Sequence, residues 1–181
     1  MKVFSILQLT LSGVLIAVGI VIPMISPFRI IIEPASFTLA SHVTIFIAMF
    51  ISLRVTIAVV FGTAIGFFLG GFPIVVAFRA ASHIVFATLG ALYLQKIRKS
   101  DISNIELRVI SFIIALIHAT CELIIVGLFY FGGIIHQESF ITSVLLLVGL
   151  GTVIHSLVDF EIAQIIMLPL KRYIDYIKSK L

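Results

Sequence analysis

Six long apolar runs separated by short polar breaks set the pattern of this chain. They read roughly Phe4 to Ile25, Phe37 to Ile51, Val55 to Gly71, Pro73 to Gln95, Glu106 to Phe131 and Phe140 to Leu170. A helix rises about 1.5 Å per residue, so about 20 apolar residues cross the hydrocarbon of a bilayer, and shorter spans suffice inside a bundle. The pattern predicts an all-α membrane protein, a bundle of six transmembrane helices forming one integral membrane domain over residues 1–181. The second run is short. The sixth is long enough to tilt or bend, with Gly149 and Gly151 as the expected place. The first run exceeds a signal-peptide core and closes without a cleavage motif, so it reads as a retained helix.

Between the first two runs lies SPFRIIIEPASFT, Ser26 to Thr38, with two prolines and several β-branched residues. Proline and the restriction it places on its predecessor disfavour a helix here. An extended, apolar external loop that packs over the bundle as a lid is the expectation. The turn FFLGGFP uses Gly70 and Gly71 for a tight reversal and Pro73 for the first turn of the next helix. The polar loop KIRKSDISN fits solvent exposure.

Composition turns this pattern into a compartment. With 61% apolar residues and a mean hydropathy of +1.30, the chain carries more apolar surface than one soluble core can hide. Of the twelve basic residues, ten flank the runs at alternate ends: Lys2, Arg54, Lys96, Arg98, Lys99, Arg108, Lys171, Arg172, Lys178 and Lys180. Basic residues are retained on the cytoplasmic side, so both termini are expected inside a bacterial cell membrane, in a multi-pass protein. The same placement makes lipid headgroups and water the partners of the positive charge, and excludes nucleic acid. Tyr93, Tyr173 and Tyr176 fall at inner boundaries, as interfacial aromatics do. The lone Cys121 lies within an apolar run and reads as a packing residue.

Arg29 and Arg79 break the charge map. Arg79 lies about six residues inside the fourth helix, ~9 Å below its outer end, and His83 follows one turn deeper. Glu122 lies ~14 Å down the fifth helix with His118 one turn further in, so Arg79, His83 and Glu122 are expected to meet in the outer half. A charge at that depth costs at least about 2.5–3.5 kcal/mol unless it is paired or wetted. Two readings follow: an ion pair that fixes helix register, or a ligand site in which the guanidinium takes a carboxylate. A proton relay through His118 and His155 is a third. His42 faces either that site or solvent. Asp159 and Glu161 read as anchors near the inner end of the sixth helix, neutralised by Arg54, Arg108 or Lys171. Gly13 and Ala17, like Gly62, Gly66 and Gly70, admit close helix approach, either within the bundle or against a separate protein.

No nucleophile with its base, zinc-protease motif or phosphate loop occurs, so an enzyme is not expected. His83, His118 and His155 sit on three helices without a supporting carboxylate or thiol cluster, so neither metal nor cofactor is expected. Transport driven by ATP would need hydrolysis by another protein.

In these features the chain resembles the substrate-binding S components of energy-coupling factor vitamin transporters. IEPASFTLASHVTIFIAMFIS, FGTAIGFFLGGFP and FRAASHIVFATLGALYLQK look most like the niacin-specific branch. The resemblance implies capture of a vitamin, niacin first, in a pocket capped by the first loop. It also implies docking through Gly13 and Ala17 on a transmembrane coupling subunit served by two ATPase subunits. Arg79 is then the carboxylate anchor and His83, Glu122 and His118 are polar partners. Glu33, Ser36 and Phe37, with Gly71 and Phe72, close the mouth. A thiamin precursor, pyridoxine or pantothenate is the alternative ligand, and a small proton-coupled carrier the alternative class.

Overall fold

The computed structural model describes residues 5–97, 103–135 and 139–179, with side chains described to residue 96 in the first stretch and to 169 in the last. Lys2, Phe4, Arg98, Lys99 and Lys180 of the expected map lie outside the described residues, as do the side chains of Lys171, Arg172, Tyr173, Tyr176 and Lys178.

The first apolar run forms α1, Ile6–Ile25, started by a capping box in which Ser5 and Gln8 each bond the other's backbone. Such reciprocal caps satisfy two of the orphan N–H groups of a first turn. The proline-rich loop that follows is a two-stranded antiparallel hairpin, β1 (Arg29–Ile32) and β2 (Ala35–Thr38). A turn leads to α2, Val43–Ile51, and one extended residue, Ser52, separates it from α3, Leu53–Leu69. The Ser52 hydroxyl caps α3 by accepting from Val55 N. α4 (Ile74–Ser82) and α5 (Ile84–Ile97) follow one another with a break at His83. α6 spans Asn104–Phe131, and a π-helical stretch, Ile141–Leu150, runs into α7, Gly151–Ser179.

The second run departs from expectation. Its first six residues are spent on β2 and the turn, so the helix begins at Val43 rather than Phe37. Seven of the nine α2 residues are buried, which is how a helix apolar on every face must sit. It is the central rod, packed against α1, α3, α5 and α7. Phe46, Met49, Val55, Val59, Phe86, Leu94 and Phe160 close the core around it.

The outward faces are apolar too, from Leu9 and Val14 on α1 to Phe112 and Leu116 on α6 and Ile154 and Ile165 on α7. Among the described residues, four helical stretches are long and apolar enough to cross a bilayer: Ile6–Ile25, Ile74–Lys96, Asn104–Phe131 and Ile141–Pro169. This is an all-α, multi-pass membrane protein. Of the six spans expected, α3 at 17 residues and α2 at 9 fall below that length. The sixth run changes from π- to α-helix at Gly151, one of the two glycines where a bend was expected.

Close approach of α1 and α3 rests on Gly62 and Gly66, where an added Cβ would overlap Ile16 and Ile20. Gly13 and Ala17 are not part of that contact. They lie on the exposed face of α1, and nothing comes within 4 Å of a Cβ built on Gly13.

Candidate functional site

Arg79 sits in the last turn of α4, where Ser82 Oγ donates to Arg79 O at 2.7 Å. A serine bonded back to its own helix competes with the regular ladder and bends it. The bend falls at His83 and turns both polar side chains toward α6. There Arg79 Nη2 donates to Glu122 Oε2 at 2.8 Å, while His83 Nε2 lies 3.3 Å from Glu122 Oε1. The three expected residues meet, and all are buried: 6% exposed for Arg79, 5% for His83 and 2% for Glu122. A carboxylate at this depth is tolerable because it is paired and hydrogen-bonded.

A residue that the sequence reading did not single out completes the set. Thr152, in the first turn of α7, donates its hydroxyl to Glu122 Oε2 at 2.7 Å. Glu122 Oε2 is therefore held by Arg79 and Thr152, and Oε1 is left facing histidines.

His42 faces the site rather than solvent. Its ring lies 4.8 Å from that of His83, 4.7 Å from His118 and 4.9 Å from His155, centroid to centroid. Asp159 fixes it there, and this corrects the placement of that acid. Instead of standing as an anchor at the inner end, Asp159 is wholly buried and accepts from Ala40 N and His42 N, both at 2.8 Å. Its Oδ2 also lies 3.2 Å from His42 Nδ1 and 3.3 Å from His155 Nε2. Ser41 Oγ bridges His42 Nδ1 and His155 Nε2 at 3.2 and 3.1 Å. The clamp holds Ala40 at φ 68°, a left-handed conformation that costs a non-glycine residue about 1–3 kcal/mol. Glu161 behaves as expected and meets Arg108 at 3.3 Å on the surface.

These groups line a cavity of about 520 Å³, inside the range of small-molecule sites. Its walls are Gly19 and Pro23 of α1, Thr63 and Phe67 of α3, Val76, Arg79 and Ala80 of α4, and Phe129 of α6. The hairpin roofs it with Ile31, Pro34, Ala35, Ser36 and Thr38, while Arg29 and Glu33 stand at the exposed rim. Arg29 Nη1 also reaches Pro23 O, 3.5 Å away at the end of α1.

Of the mouth residues expected, Glu33, Ser36 and Phe72 line the cavity. Phe37 does not. It turns to the other side of the hairpin, where its ring meets His155 at 5.5 Å and fills the notch left by Gly151. Strand alternation separates it from Ser36. Gly71 is exposed at φ 76° and makes the turn rather than the wall. His118 is fully buried beneath the floor, its Nε2 3.5 Å from Glu122 Oε1 and neither ring nitrogen in a hydrogen bond.

The expectation of no metal rested on the lack of a carboxylate beside the histidines, and the fold supplies one. Donor atoms of His42, His83, His118 and Glu122 all lie within 4.8 Å of one another. His42 stands where His155 was expected.

Comparison with known proteins gives one informative likeness. The niacin transporter NiaX of Lactococcus lactis subsp. cremoris is 36% identical over 157 residues, which are 86% of this chain and 71% of that protein. No protein-family model matches the chain, and no solved structure matches it.

Proposed function

We propose a function from one premise: this chain belongs to the niacin transporter family. It captures nicotinate in the hairpin-roofed cavity, with the carboxylate received by Arg79. One observation carries this reading. The guanidinium is buried in the cavity wall with Nη2 on Glu122 and Nε without a hydrogen-bond partner. A buried donor left unmet is expensive, and a fork of donors suits a carboxylate.

The cavity opens to the outside. Arg54, Lys96 and Arg108 lie at the ends of α3, α5 and α6 remote from it, whereas Arg29 and Arg79 lie at the cavity end. That distribution supports the orientation in which the basic ends are cytoplasmic. Six membrane-embedded rods result when α2 and α3 are counted inside the bundle.

Uptake is completed by a transmembrane coupling subunit and two ATPase subunits. The exposed Gly13 and Ala17 support a docking face on α1, because both lie on its outward side and, among the described residues, nothing comes within 4 Å of a Cβ built on Gly13.

Binding of nicotinate and nicotinamide to the purified protein tests the site. The acid should bind strongly and the amide weakly. Arg79→Ala should weaken nicotinate at least about 30-fold, the loss expected when one partner of a buried charge pair is removed. Arg79→Lys keeps the charge without the fork and should fall between. Equal affinity for acid and amide overturns the assignment of Arg79.

A further inference from the structure

We propose that His42, His83, His118 and Glu122 bind a divalent transition-metal ion of the Zn2+ class at the cavity floor, and that this ion takes the ring nitrogen of nicotinate. The second half rests on the niacin reading above; the first stands without it.

The geometry comes first. The three imidazole centroids form a nearly equilateral triangle with edges of 4.8, 4.7 and 4.7 Å. Three histidines around a tetrahedral ion, at metal–nitrogen distances near 2.0–2.1 Å, place their centroids about 5 Å apart. Glu122 offers Oε1 to the same point, since His83 and His118 approach that oxygen at 3.3 and 3.5 Å. Three nitrogens and one carboxylate oxygen are a donor set that borderline divalent ions take.

Supporting contacts are in place around these donors. Asp159 Oδ2 lies 3.2 Å from His42 Nδ1, which leaves His42 Nε2 free to ligate. A carboxylate behind a histidine is the arrangement that fixes tautomer and ring direction at metal centres. Arg79 and Thr152 hold Glu122 by its other oxygen, Oε2. His118 is the independent sign of a missing partner: it is 0% exposed, and neither of its ring nitrogens makes a hydrogen bond. A buried imidazole with both nitrogens unsatisfied is costly unless something else meets it.

Charge balance decides between a metal and a proton. With neutral histidines the site holds one guanidinium, Arg79, against two carboxylates, Glu122 and Asp159. Arg29 and Glu33 at the rim cancel each other. Nicotinate adds a further negative charge and leaves two unmatched. One proton on a histidine removes one of them, and a divalent ion removes both. Because His42, His83 and Glu122 line the cavity while His118 lies behind it, the ion meets the ligand from the cavity side, and the ring nitrogen joins the four protein donors as a fifth.

The test uses the full chain in lipid nanodiscs. Protein loaded with Zn2+ should retain about one ion per chain by elemental analysis. Co2+ in its place should show the visible absorption of a tetrahedral nitrogen–oxygen site. His118→Gln should lose that spectrum and weaken Zn2+ at least about tenfold. Should this variant fail to fold, a rise in the wild-type melting temperature on adding Zn2+, abolished by EDTA, serves instead. EDTA-treated protein should bind nicotinate at least about tenfold more weakly and no longer prefer it to benzoate, the carboxylate without a ring nitrogen. If nicotinate binding and that preference survive EDTA, the metal proposal falls and the niacin reading stands. If Zn2+ binds as described but nicotinate does not, the metal site stands and the niacin reading falls.

Discussion

Glu122 shows how one side chain can be both legible and incomplete in a sequence. A lone acid in an apolar run stands out, and Arg79 and His83 offer partners at matching depth; the structure joins all three. Thr152 carries no such signal, because threonine is ordinary in a membrane helix and its 2.7 Å bond to Glu122 spans 30 positions of chain. Thr152→Val should therefore lower stability by about 1.5–3 kcal/mol, the worth of a hydrogen bond to a charged group, in a denaturation series on detergent-solubilised protein. Glu122→Ala should cost more, about 3–5 kcal/mol, because it strands a buried guanidinium. If the two variants prove equally mild, the carboxylate is not the hub described here. Asp159 and His42 were harder still to place. Their contact spans 117 positions, and linear depth does not tell which face of its helix the acid occupies.

At the level of helices, the apolar runs were legible because the bilayer requirement is so demanding, but their ends were not. Helix two lost its first residues to β2 and the turn after it, since hydropathy alone does not distinguish an apolar strand from an apolar helix. The break at His83 was invisible for a similar reason: it leaves the pattern of apolar positions unchanged. Small residues were read with both roles open, and burial separates them. Gly62→Val should force Ile16 aside and destabilise the α1–α3 contact by about 1–3 kcal/mol. A Cβ at position 13 meets nothing within 4 Å among the described residues, so in Gly13→Val stability and nicotinate binding should stay near wild-type values while capture of the coupling subunit declines. Loss of binding in Gly13→Val would remove the separation between the two faces.

Taken whole, the described residues make an apolar exterior around a polar centre. Purified protein in liposomes should bind labelled nicotinate without accumulating it, and accumulation should appear only with the coupling subunit and ATPases present. ATP-independent uptake by the protein alone would restore the proton-coupled carrier considered from the sequence. One local detail shapes how the whole behaves. The Phe37 ring occupies a gap beside α7 in which residue 151 offers only a hydrogen, and an added methyl would come within 2.5 Å of that ring. The hairpin's seating thus depends on a position with no side chain. Gly151→Ala should push the ring out and shorten the dwell time of bound nicotinate, seen as faster dissociation with little change in association. How long the guest stays is then written in an absence.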